Sequence, residues 1–107
     1  MVSNIEWTTK EREVAQEIFD RAYERETGAL VEEIRDKASL IAKLEDVWQL
    51  HDYLSAKRHN IDGKYDFRDA YLVFVFSQLV KEGWVELNEL EDLSQDKLKK
   101  ISALTRM

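Results

Sequence analysis

The chain has 107 residues, with 22 acidic against 16 basic side chains for a formal net charge of −6, and it contains neither cysteine nor proline. This length predicts one domain, and the missing cysteine excludes a disulfide scaffold, a thiolate metal site and a cysteine nucleophile. The acidic balance argues against nucleic acid, whose binding rests on neutralising phosphates with Lys and Arg.

Proteins average about 5% proline. Its absence, beside 36% charged residues, points to long uninterrupted helices. The first is expected to start after Thr8 or Thr9, either of which can cap the free amides of the first turn, with Glu11 and Glu13 placed where the helix dipole favours negative charge. Val14, Ala15, Ile18, Phe19, Ala22 and Tyr23 follow at helical spacing and build one apolar face. Gly28 is the natural interruption. From Ala29 to His59 no breaker occurs, which predicts a second helix of ~46 Å at ~1.5 Å per residue. So long a capless pattern suggests helix pairing, often between chains.

With Trp48 as origin and a step of ~100°, Ile34, Ile41, Leu44, Trp48, His51, Asp52, Ser55 and Arg58 fall within about −80° to +40°. Val47, Leu50, Leu54 and Ile61 lie on another side, suited to packing within the chain. The first stripe starts apolar and grades into Trp, His, Asp and Arg, the composition of an interface rather than a core. Asn60, Asp62 and Gly63 predict a turn. Asp66 or Asp69 can then cap a helix running to about Glu82, with Gly83 as its C-cap. Its run from Ala70 to Phe76 is apolar all round, seven residues against the ~20 that span a bilayer, and is expected to be the most buried segment. A last helix is expected near Ser94 to Thr105, with Leu98, Ile101 and Leu104 on one side.

Catalysis finds little support. His51 and Ser55 are neighbours at i,i+4, but Asp52 projects ~100° away and no oxyanion donor set lies nearby. His51 and His59 stand ~12 Å apart along a helix, too far to share one metal ion within the chain. Aligning Gly63 with the glycine of a calcium loop puts Arg58 at the first ligand position, which excludes that reading. Trp48 reads as an interface anchor, since Trp and Arg dominate contact hot spots. Asp52 and Arg58 are ~9 Å apart along one helix, so two antiparallel copies could pair them reciprocally. Docking of Lys97, Lys99 and Lys100 on an acidic partner is a further option beside a plain solvated face.

The block Asp46-Val47-Trp48-Gln49-Leu50-His51-Asp52-Tyr53-Leu54-Ser55-Ala56-Lys57-Arg58 continues through Ile61-Asp62-Gly63-Lys64-Tyr65-Asp66 and Phe74-Val75-Phe76. It closely resembles the cyanobacterial fluorescence recovery protein family, most densely over about residues 46–84. The resemblance implies an all-α fold in which long helices pair in a homodimer and the C-terminal half forms a small helical head. Residues 1–107 would make one helical domain, with long helices over about 9–59 and a compact part over about 64–105. It implies a regulator rather than an enzyme, with no cofactor. Family members bind the red, photoactivated orange carotenoid protein, chiefly through its C-terminal domain. They speed its return to the orange form and help it leave the phycobilisome, restoring antenna fluorescence. The residues that carry this role map onto Trp48, His51, Asp52 and Arg58. The helical stripe read above makes Ile34, Ile41 and Leu44 the candidate dimer stripe, and Phe74, Lys97 and Lys100 are a candidate second partner contact. With no basic-then-apolar leader the chain is expected in the cytoplasm, peripheral at the thylakoid's cytoplasmic face if it follows its partner. Alternatives are a helical adaptor with a non-photosynthetic partner, an enzyme using His51 and Asp52, and a carotenoid carrier built on the eleven aromatic residues.

Overall fold

Residues 6–107 are described by a computed structural model, and among them every regular element is helical. Helix α1 spans Thr9–Ser39, α2 Leu44–Lys64, α3 Leu72–Glu82 and α4 Gln95–Thr105, with a short 3-10 helix at Leu87–Leu90 before α4. The molecule is elongated, 53 × 25 × 24 Å. Among the described residues no helix is long and apolar enough to cross a membrane.

Thr8 starts α1 through a capping box: its hydroxyl accepts the Glu11 N–H at 3.1 Å, and the Glu11 carboxylate accepts the Thr8 N–H at 3.2 Å. Two orphan amides are thereby satisfied at once. The helix does not stop at Gly28. It runs on for 31 residues to Ser39, so the predicted interruption and the predicted single helix from Ala29 to His59 are both corrected. One mid-helix glycine costs only ~1 kcal/mol, which neighbouring turns of good helix formers absorb. The real break is Leu40–Lys43, where no glycine or proline marks it. Lys43 is extended, at φ −147° and ψ 166°, and Asp46 Oδ2 accepts the N–H groups of Ala42 at 3.0 Å and Lys43 at 3.2 Å. That carboxylate closes the turn and caps α2.

Beyond the break, α2 runs back antiparallel along α1. Lys37 lies over the Tyr53 ring at 4.6 Å, the Tyr53 hydroxyl meets Glu33, and Lys64 reaches Glu26 at 2.7 Å. The bond to Glu33 is the main reason that the Tyr53 phenol is pushed up to about 12, with burial adding to it. The predicted turn at Asn60–Gly63 is instead the last turn of α2, held helical by the tie that follows at Lys64.

The first half of α1 packs against α3, α4 and the segment between them to form a head. Ala15, Ile18 and Ala22 meet Leu72, Val73, Phe76 and Leu79 of α3, Val85, Leu90 and Leu93 of the connection, and Ile101 of α4. The apolar run does build the most buried helix, although α3 starts at Leu72 and neither Asp66 nor Asp69 caps it. Those two carboxylates instead pair with Arg68 and Arg12. Gly83 ends α3 at φ 87°, and the N–H of Trp84 returns to the Leu79 carbonyl at 2.9 Å. The last helix lies where expected and Ser94 caps it, its hydroxyl accepting the Lys97 N–H at 3.3 Å. Ser94→Ala should lower stability by about 1 kcal/mol in a urea titration, the usual worth of an N-cap.

Burial divides the molecule sharply. Trp7 and five side chains of α1 up to Glu26 are buried, but from Thr27 to Asn60 no residue is. The head has a core; the hairpin has only a half-buried seam.

Candidate functional site

Trp48, His51, Asp52 and Arg58 all lie on α2, on the face turned away from the seam. That seam is made by Leu50, Tyr53, Leu54 and Lys57, each half-buried, and by buried Ile61. Trp48 is 54% exposed and touches His51 edge-on at 6.4 Å between ring centres. His51 Nδ1 lies 3.3 Å from Asp52 Oδ1, and Arg58 Nε lies 3.6 Å from Asp62 Oδ2. Arg58 is thus satisfied within its own helix, one turn on, rather than reaching Asp52. His51 and Asp52 do meet, which their ~100° separation around the helix did not predict. Both remain open to solvent, and no group of three metal-ligating side chains gathers among the described residues.

The apolar part of the predicted stripe divides at the helix break. Leu44, 64% exposed, continues the Trp48 face toward the hairpin tip, where Leu40 and Ile41 are also exposed. Ile34 is half-buried on the α1 face shared by Leu30 and Lys37, which is turned to α2. A stripe continuous with Ile34 needs one straight helix, and the turn at Leu40–Lys43 removes it. Val31 and Val47 are exposed apolar side chains of the same hairpin. The hairpin therefore presents six large exposed hydrophobic residues within eighteen positions, Val31 to Trp48, and buries none of them. Such a concentration makes the hairpin the candidate association surface.

The other proposed contact residues separate as well. Phe74 stands out of the buried α3 at 42% exposure, beside an open groove of about 630 Å³ bordered by His59, Arg68 and Tyr71. Arg68 stacks on the Tyr71 ring at 4.5 Å. Lys100 is exposed and pairs with Asp96 at 3.5 Å. Lys97 is turned inward and is corrected as a surface contact: its ammonium lies 3.0 Å from Glu11 and over the Trp7 ring at 5.0 Å. Burial alone pushes the Glu11 carboxyl up, but bonds from the Thr8 N–H, Lys97 and the Ser94 N–H outweigh it and hold the group below the usual carboxylate range. Lys97 thus ties α4 to the start of α1.

One cluster escaped the sequence reading. Lys64 Nζ lies 2.7 Å from Glu26 and 2.6 Å from Glu82, and the Tyr65 hydroxyl donates to Glu26 at 2.8 Å. The Tyr65 phenol is pushed far up, first by burial and then by Glu26. The Lys64 side chain is only 7% exposed. This cluster fastens the ends of the hairpin to α3. No window of sequence shows it, because 38 residues separate Glu26 from Lys64.

A sequence profile of the family described as photoprotection regulator fluorescence recovery protein matches residues 7–105. The fluorescence recovery protein of Synechocystis sp. is 48% identical over 101 residues, covering 94% of this chain and 93% of that protein. The solved structure of the Fremyella diplosiphon fluorescence recovery protein superposes with a TM-score of 0.93 at 57% identity, covering 95% of this chain and all of that one. The Synechocystis structure superposes at 0.92 with 48% identity and the same coverages. With matched segments that include the head, both helices of the hairpin and the Trp48 face, the chain belongs to the fluorescence recovery protein family of photoprotection regulators.

Proposed function

We propose that this protein binds the red, photoactivated orange carotenoid protein, mainly through that partner's C-terminal domain. In doing so it accelerates the return to the orange form and promotes detachment from the phycobilisome. The observation that carries the reading is a hairpin that buries no residue from Thr27 to Asn60 and whose outer face runs from apolar Leu44 and Trp48 to charged Asp52 and Arg58, in a member of a photoprotection-regulator family.

On this reading the protein is a homodimer. The α2 faces of two copies pack antiparallel about a two-fold axis, Leu44 and Trp48 bury against the partner copy, and Asp52 of each reaches Arg58 of the other. Arg58 exchanges its exposed bond to Asp62 for one across the interface, where water is excluded and a charge pair counts for more. Phe74 and Lys100, on the head, supply the contact with the carotenoid protein. The protein works in the cytoplasm and sits at the thylakoid face only while its partner does.

No bond is made or broken in such a regulator. To hasten a relaxation it must hold the transition state more tightly than the red ground state. Keeping two separated partner domains close replaces a diffusive encounter with a local one. The direct test follows the dark absorbance recovery of photoactivated orange carotenoid protein with and without substoichiometric amounts of this protein. Acceleration with turnover supports the proposal. No acceleration from a folded, dimeric sample refutes it and leaves a helical adaptor with another partner.

A further inference from the structure

Two of the three glycines lie at matching heights on the two helices of the hairpin, where it leaves the head. Gly28 sits on α1, two residues past Glu26, the last buried residue of that helix. Gly63 sits on α2, between Ile61, its only buried residue, and Lys64. Neither glycine has a positive φ, and a Cβ added at either would meet nothing within 4 Å. Neither conformation nor crowding within the chain explains the missing side chain. What glycine does supply inside a helix is ease of bending, and sharp bends concentrate at such residues.

The surroundings are arranged accordingly. On the head side, Lys64 is held by Glu26 and Glu82, and the Tyr65 ring packs edge-on against Phe19 and Tyr23 at 5.3 and 5.1 Å. These contacts fix the helix ends. On the hairpin side the only buried residue is Ile61, which shares a cavity of about 50 Å³ with Leu30 and Trp84, so packing is slack where the two parts meet. We propose that this junction is a hinge, with Gly28 and Gly63 as paired pivots about which the whole hairpin swings relative to the head. Leu40 lies ~18 Å beyond Gly28 at ~1.5 Å per residue, so a swing of ~20° carries the tip ~6 Å. Such a motion changes the angle between the Trp48 face and the head while leaving both surfaces intact.

The absence of native cysteine makes the test direct. Spin labels are placed on Glu45→Cys at the tip and Lys99→Cys on α4, both exposed positions. The labelled protein is diluted with excess unlabelled protein, so that only distances within one chain are read. The expected distance distribution is broad, and Gly28→Ala with Gly63→Ala narrows it about twofold without lowering the melting temperature. Equal widths in the two backgrounds overturn the hinge. So does a double variant that melts below the parent, since it shows that the space at the glycines was needed for packing. The measurement uses no carotenoid protein, so its outcome is independent of the proposed function.

Discussion

Replacing Lys64 with Met should remove about 3–5 kcal/mol of stability at neutral pH, the usual cost of deleting one partner of a buried ion pair. The lysine is 7% exposed and serves two carboxylates, of which Glu26 is 3% exposed and cannot recruit water instead. Methionine nearly matches the shape of the aliphatic stem, so the loss reports the stranded carboxylates more than lost packing. The pH dependence follows from Glu82. Burial raises its pKa, but bonds from Lys64 and Gln78 outweigh that and keep it below the ordinary value of 4.5. A carboxylate depressed in the folded state contributes stability above its unfolded pKa, and that contribution fades as pH falls through the folded value. Urea titrations of the two proteins should therefore differ most near pH 7 and converge below about pH 4.5. A gap that stays constant down to pH 3 would assign the lysine's role to its methylene chain.

Trp48→Ala should raise the dissociation constant of the proposed dimer by roughly 30- to 700-fold, equivalent to about 2–4 kcal/mol for a buried aromatic anchor. Within its own chain the ring meets His51 edge-on, is 54% exposed and takes no part in the head core, so truncation leaves that core unaltered. The expected signature is a separation of two observables. Sedimentation at micromolar concentration shifts from dimer toward monomer, while the near-ultraviolet signal of the buried Trp7 environment persists. A variant that sediments like the parent down to nanomolar concentration would remove Trp48 from the interface. Loss of both observables together would place the residue in the fold instead.

The head was largely readable from the sequence because its signals are local. The run from Leu72 to Leu79, Gly83 after it and Ser94 before the last helix each act within a few residues, and each occurs where its chemistry predicts. The hairpin was misread for the opposite reason. Gly28 and Asn60–Gly63 look like punctuation but lie inside helices: flanking helix formers carry α1 through Gly28, and the end of α2 is tied at Lys64 to a residue 38 positions away. Meanwhile the true turn is closed by Asp46, an ordinary-looking carboxylate three residues into a helix. Its sequence signature would have been an acidic residue at the third helical position with no breaker before it, which is too common to act on alone. The candidate interface fared better than the helix that carried it. Trp48, His51, Asp52 and Arg58 share one uninterrupted helix, so their angular relation did not depend on the misplaced boundary. Ile34 lay across that boundary and lost its place in the stripe. Lys97 was misassigned because its partner Glu11 is 86 residues distant, and Glu11 had been read only for its charge at the helix start, although its spacing from Thr8 is that of a capping box.

The unburied stretch from Thr27 to Asn60 also bears on how such a chain can change over generations. Substitutions at the apolar core of the head are screened by folding itself, since its side chains are enclosed. Substitutions on the outer faces of the hairpin leave the folded chain almost untouched and are screened only by what presses against it from outside. Two lineages can therefore keep the same head and rewrite the hairpin surface together with its binding counterpart, one exposed residue at a time, without passing through an unstable intermediate.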